Sequence, residues 1–249
     1  MRLIKIELLK LRSRNSIQLL IIGLVIIIFN FLSMTVDLLS QIKFPVPTVS
    51  FSALYITTTF LNGFSKSIYV GILVVLGAHL GYELQNQIFT RNRIDGLSIG
   101  EYLICKGIRI FYLYVFYLLL LVIILGIITG VFEIRLEPVY LFFSFIQLFF
   151  VFLYTGSFVL LISILLRRTG YILLFGYIIL LLEAGIKKIL ARPDLFLPAT
   201  FHSSLYDANG IYVLFADGNI FVLIAYFFLI PLYLSISYRL LKKVQSSIH

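Results

Sequence analysis

GYELQNQIFTRNRIDGLSIGEYLICKGIRI, running from Gly81 to Ile110, is the longest polar interruption in an otherwise strongly apolar chain. It separates two candidate membrane spans, and its reading decides the fold. Asp95-Gly96 within it is a turn signal. Just beyond, Ser98-Ile99-Gly100-Glu101 has the S-x-x-E spacing of a capping box. The Ser98 side chain would satisfy the Glu101 amide while the Glu101 carboxylate returns to the Ser98 amide. Leu97 and Tyr102 stand where a hydrophobic staple falls. These signals start a helix at Ile99 that runs on into the following span. Upstream, Leu84 and Ile88 lie one helical turn apart, so residues 82–94 read as a short helix along the membrane face. The segment 82–108 is therefore expected to be a structured elbow rather than a linker.

Outward from the elbow the composition sets the fold class. Of 249 residues, 61% are hydrophobic and 12% charged. A soluble domain cannot hide that much apolar surface, because what it leaves outside must be largely polar. Several runs approach or exceed the roughly 20 residues that cross a bilayer as a helix. A β-barrel would instead show short alternating segments. The expected fold is an all-α polytopic membrane protein with six transmembrane helices, at about residues 17–39, 65–82, 109–130, 139–166, 171–189 and 220–240. Residues 1–15 are basic and loosely amphipathic and read as an interfacial elbow helix. No small-residue cleavage site follows them, so the first span reads as uncleaved. Residues 190–215, with Pro193, Pro198 and the apolar Leu195-Phe196-Leu197, read as an external or re-entrant segment. Pro231 is a candidate kink in the sixth span.

The net charge of +9 reports orientation here, not nucleic-acid binding. With both termini cytoplasmic, the inner segments hold Arg2, Lys5, Lys10, Arg12, Arg14, Arg91, Arg93, Lys106, Arg109, Arg167, Arg168, Arg239, Lys242 and Lys243, which is 14 of the 20 basic residues. The positive-inside rule favours that arrangement, although Lys187, Lys188 and Arg192 oppose it. Cys105 is the sole cysteine, so no intrachain disulfide can form.

The ordered combination of these features resembles the permease subunits of ABC transporters of the ABC-2 type, over nearly the whole chain. The matching parts are the basic start Ile6-Glu7-Leu8-Leu9-Lys10-Leu11-Arg12, six spans, and the segment from Glu83 to Lys106. That segment reads Glu83, Thr90-Arg91, Asp95-Gly96-Leu97-Ser98, Glu101 and Lys106, where such permeases carry a Glu after the second span, a polar stretch, a Leu-Ser helix start and a Lys entering the third. Leu165-Leu166-Arg167-Arg168-Thr169-Gly170 and Leu197-Pro198 fit as well. The resemblance implies that residues 82–94 are a cytoplasmic coupling helix that docks on a separate ATPase subunit. Glu83, Gln87, Arg91, Arg93 and Asp95 would form that contact, with Ser98 and Glu101 capping the segment. It further implies a dimer with a second permease copy or a paralogue, a bacterial inner membrane location, and export as the direction. ATP and magnesium would belong to the partner ATPase, because this chain has no G-x-x-x-x-G-K-[ST] phosphate loop and no cofactor of its own is expected.

Ionisable residues in or near spans are functional candidates, here Lys66, His79 and Glu183. The plainer reading of Glu183 is a local pair with Lys187 four residues on. Two other function classes compete with a permease. A passive channel or membrane scaffold would need no ATPase-docking elbow. An intramembrane hydrolase would need an activated nucleophile, for which Ser157 and His79 are the available pair. His79, His202 and His249 lack metal-ligand spacing. The aromatics of the third and fourth spans, among them Tyr114, Tyr117, Phe149 and Phe152, suit either helix packing or the lining of a path for an apolar cargo.

Overall fold

Pro138 opens a long apolar run, and in the computed structural model that run is one 29-residue helix against which several other helices pack. The structure describes residues 69–94, 96–132, 138–189 and 220–246, with isolated helical positions at 18, 21, 25, 28 and 29. The described residues form helices and short turns, with no strand among them. Helix α1 covers residues 69–85 and contains a π-helical turn, Leu73–Gly77, ahead of the regular turns Ala78–Gln85. Helix α2 is Ile88–Ile94, α3 is Ile99–Phe132, α4 is Pro138–Leu166, α5 is Thr169–Ile189 and α6 is Ile220–Ser246.

Helix α4 begins on a proline, whose missing N–H costs nothing in the first turn. It packs against α1, α3, α5 and most extensively α6. Its Val151, Phe152, Tyr154, Val159 and Leu160 are buried and form the centre of the core. Helix α3 buries Ile99, Tyr102, Lys106, Ile110, Leu113 and Tyr117 along one face, a stripe at three- and four-residue spacing. The aromatics of α3 and α4 interlock. Tyr114 and Tyr117 each meet Phe152 edge-on at ring separations of 5.8 and 5.1 Å, and Tyr114 meets Phe149 at 5.3 Å. Phe150, Tyr154 and Phe158 continue the aromatic contact to Phe227 and Tyr233 of α6. In the described part, these aromatic residues pack helix against helix.

The outer faces are apolar too. Helix α5 exposes Leu174, Phe175, Ile178, Leu181 and Leu182, and α6 exposes Phe227, Phe228 and Leu232. A helix that is apolar all round belongs inside a protein or in lipid. Two stretches, Ile99–Leu120 in α3 and Phe149–Leu166 in α4, are long and apolar enough to cross a membrane, and Thr169–Leu182 is a shorter apolar stretch.

The expected spans 139–166 and 220–240 fall on α4 and α6, while 171–189 begins two residues after the start of α5. The expected elbow helix 1–15, Lys66, Asp95, the segment 190–215 and nearly all of the first span lie outside the described residues. One expectation is corrected. Residues 82–94 are not one helix, because α1 runs on through Gln85 and the chain breaks at Asn86-Gln87 before α2. The break is built by capping. The Asn86 amide and its side-chain Nδ2 both donate to the Tyr82 carbonyl, at 3.0 and 2.9 Å, and Gln87 sits in the left-handed region at φ 55°. Gln87 then accepts from the Arg91 amide at 3.1 Å and so starts α2. A non-glycine residue in that region costs about 1 kcal/mol, which the paired helix ends offset. Arg167, at φ 56°, closes α4 in the same way, with its amide donating to the Ser163 carbonyl at 2.9 Å.

Candidate functional site

Two turns of helix meet where the elbow joins the core, and between them sits a buried carboxylate. Glu83 comes from the last turns of α1 and is 1% exposed. Four residues earlier, His79 places Nε2 3.0 Å from Glu83 Oε1. A carboxylate can only accept, so the ring N–H donates from Nε2. From α3, Lys106 donates to both oxygens of Glu83, at 2.9 and 2.8 Å, and the Tyr102 hydroxyl donates to Oε2 at 2.8 Å. Tyr102 and Lys106 are also four residues apart, so each helix contributes an i, i+4 pair aimed at the other. The Lys106 ammonium lies 4.7 Å from the centre of the Tyr102 ring, a cation–π contact beside the ion pair. Arg109, 1% exposed, is the next cation along α3, and its charge acts on His79.

Helix α2 is tied to the same group. Phe89, buried on this helix, stands edge-on to Tyr102 at 4.9 Å and 68°. The Ser98 amide donates to Glu101 Oε2 at 2.7 Å and the Glu101 amide donates to Ser98 Oγ at 3.1 Å, the reciprocal geometry of a capping box. Gly96 supplies the turn before it in a left-handed conformation, φ 88°. On the opposite side of α1, Thr169 at the start of α5 donates its hydroxyl to the Ala78 carbonyl at 3.3 Å. Gly81 is pressed against the Thr169 backbone, where a Cβ would come within 2.8 Å of Thr169 Cα. The elbow is thus braced from inside by α3 and from the side by the α4–α5 turn.

Outside this brace lies a polar knob. Gln85, Asn86, Gln87 and Arg91 are exposed, as are Arg167 and Arg168 of the neighbouring turn. Arg168 stacks over the ring of Tyr171 at 5.7 Å. The residues expected to contact a partner therefore separate. Gln87 and Arg91 face solvent, whereas Glu83 faces inward with both carboxylate oxygens engaged within the chain. Arg93 belongs to α2 and Glu183 to α5, and their side chains lie outside the described residues, as Asp95 does entirely. His79, a candidate functional residue of the second span, belongs to the Glu83 group. The imagined pairing of His79 with Ser157 does not appear, since the Ser157 hydroxyl donates to the Tyr154 carbonyl of its own helix at 2.8 Å. Among the described residues no group of three His, Cys, Asp or Glu side chains is placed to hold a metal ion.

Tyr102, Lys106 and Arg109 were not singled out by sequence as parts of one group; Lys106 was named only as an inner-side cation and through a resemblance. A signal was present: polar i, i+4 pairs, His79/Glu83 and Tyr102/Lys106, flank the elbow in helices that are otherwise apolar. Together the fold and the group define, among the described residues, a helical assembly with two membrane-length stretches and an ion-paired elbow at the end of one of them. No protein-family model, curated protein or solved structure matches the chain.

Proposed function

We propose that the chain is the membrane-spanning permease subunit of an ATP-driven transporter of the ABC-2 type, working as an exporter. In this reading it has six spans with both termini cytoplasmic in a bacterial inner membrane. Two permease copies, or this chain and a paralogue, line the pathway, and separate ATPase subunits bind ATP and magnesium. The chain itself performs no catalysis.

The observation that carries the reading is the construction of the elbow. A polar knob formed by Gln85, Gln87 and Arg91 is joined through Phe89, Glu83, Tyr102 and Lys106 to a 34-residue helix. At about 1.5 Å per residue that helix is about 50 Å long, longer than the roughly 30 Å hydrocarbon layer. A push on the knob is carried into the bilayer by a continuous rod, which is what a coupling element requires. Glu83 then acts as the internal brace of the docking element, and Gln87 and Arg91 supply its outer face. Coupling follows only if the partner binds the two settings of the elbow with different affinity.

The test is assembly. The chain is co-expressed with the ATPase subunits encoded beside it and purified into nanodiscs, and co-purification and ATP hydrolysis are measured. Gln87→Ala with Arg91→Glu should weaken assembly at least tenfold while leaving the thermal stability of the permease unchanged. A well-folded wild-type chain that retains no ATPase refutes the reading in favour of a channel or scaffold.

A further inference from the structure

Four residues of α1 spaced four apart, Tyr69, Leu73, Gly77 and Gly81, all meet α5. The Tyr69 hydroxyl donates to the Gly176 carbonyl at 3.0 Å. Leu73 fills the space over Gly176, where a Cβ would lie 2.5 Å from Leu73 Cδ1. A Cβ on Gly77 would meet Ile172 Cγ2 at 3.1 Å, and one on Gly81 would meet Ile172 Cδ1 at 2.7 Å. A regular α-helix carries such a row only obliquely to its axis. Each four-residue step overshoots a full turn by about 40°, so three steps carry the row about 120° around the helix. The π-helical turn Leu73–Gly77 winds more slowly, at about 4.4 residues per turn, and its four-residue step falls short by about 30°. That turn keeps the row on one seam.

The turn is also balanced between two hydrogen-bond patterns. The Ala78 amide points at both the Leu73 and the Val74 carbonyls, the i−5 acceptor of a π-helix and the i−4 acceptor of an α-helix. Below it, α1 is fixed by the Glu83 group and by the Thr169 contact. Above it, the Tyr69 hydroxyl of α1 donates to the Gly176 carbonyl of α5.

We propose that the Leu73–Gly77 turn is a register hinge. The extra residue held there passes upward along α1, so that the part around Tyr69 turns against α5 while the elbow stays fixed. Each residue passed turns that part by about 100° and shifts it by about 1.5 Å. α1 then has two discrete settings above a constant lower half. Use of the hinge to switch a transport pathway rests on the permease reading; the hinge itself does not.

The experiment uses the full chain alone in nanodiscs, without an ATPase. In a Cys105→Ser background, spin labels on Val70→Cys and Leu174→Cys report the separation of upper α1 from α5. Wild type should give two distance components. Deletion of Val74 removes the extra residue and should leave one component at the minor position. Tyr69→Phe should raise the ratio of minor to major component about fivefold, the effect of one buried neutral hydrogen bond. A single component that is the same in wild type and Tyr69→Phe overturns the hinge. Should the deletion variant not fold, that comparison decides alone. Failure to assemble with an ATPase, measured separately, would refute the permease reading and leave the hinge standing.

Discussion

Replacing Glu83 by alanine tests the brace most directly. The change removes the acceptor of two Lys106 contacts at 2.8 and 2.9 Å, of the Tyr102 hydroxyl at 2.8 Å and of His79 at 3.0 Å. Lys106 is 0% exposed, so its ammonium cannot turn to water without opening the helix pair. Breaking a buried ion pair by removing one partner costs about 3–5 kcal/mol. The His79 side chain is 11% exposed and marks a route for water, which favours the lower end. A chain of this length loses about 2–4 °C of Tm per kcal/mol, so about 3 kcal/mol corresponds to a fall of roughly 6–12 °C. Cys105 provides the assay. It is the sole cysteine, is 2% exposed and adjoins Lys106, so its alkylation by a thiol-reactive fluorophore reports opening at the brace itself. The chain has no tryptophan, which makes this reporter the more useful. An opening eased by about 3 kcal/mol should accelerate labelling about a hundredfold. Combining Glu83→Ala with Lys106→Met removes the stranded charge and should restore more than half of the loss, a coupling of about 2 kcal/mol in the double-mutant cycle. Labelling of Glu83→Ala within about twofold of wild type, equivalent to less than 0.5 kcal/mol, would refute the reasoning. So would a double variant no more stable than the single one.

Three further outcomes follow from the same geometry. Gly81→Ala places a Cβ within 2.8 Å of Thr169 Cα and 2.9 Å of its nitrogen, backbone atoms that cannot swing aside. It should cost about 1–3 kcal/mol by overpacking, while Gly170→Ala, with nothing within 4 Å, should be silent in the same melting experiment. At Gln87, φ 55°, glycine should be tolerated and valine should destabilise. About 1–2 kcal/mol should separate the two variants in Tm-derived stability. Ser98→Ala removes the acceptor of the Glu101 amide. It should cost about 1 kcal/mol, seen as about fivefold faster hydrogen exchange confined to the first turn of α3.

The elbow shows which features a sequence carries by itself. The start of α3 was legible because the capping box is local. Ser98 and Glu101 recognise each other across three residues, and the Gly96 turn needs only a glycine where φ is positive. The ends of α4 and the start of α6 were legible because apolar runs stop where charge or a turn begins. The break at Asn86-Gln87 was not. No glycine or proline marks it, and it forms because Gln87 accepts a strained conformation between two helices held elsewhere, α1 by Glu83 and α2 by Phe89.

The direction of Glu83 was hidden for a related reason. A polar residue at the end of an apolar span is read as turned to solvent, and its neighbour Tyr82 is indeed exposed. Which way the next residue faces depends on the rotation of α1 about its own axis, and in helices apolar on every face hydrophobic periodicity sets no rotation. The polar pairs set it instead. His79/Glu83 and Tyr102/Lys106 can satisfy one another only if the two helix faces meet, across separations of 19 and 23 residues that the elbow closes. In a chain with 12% charged residues, four polar groups gathered in one buried place cannot be neutral to the fold. Left apart in lipid or core, each would carry the desolvation cost of an unmet polar group. Gathered, they fix which face of α1 meets α3. The same buried carboxylate that is withdrawn from solvent is therefore what holds the exposed polar knob, from Gln85 to Arg91, in a single orientation.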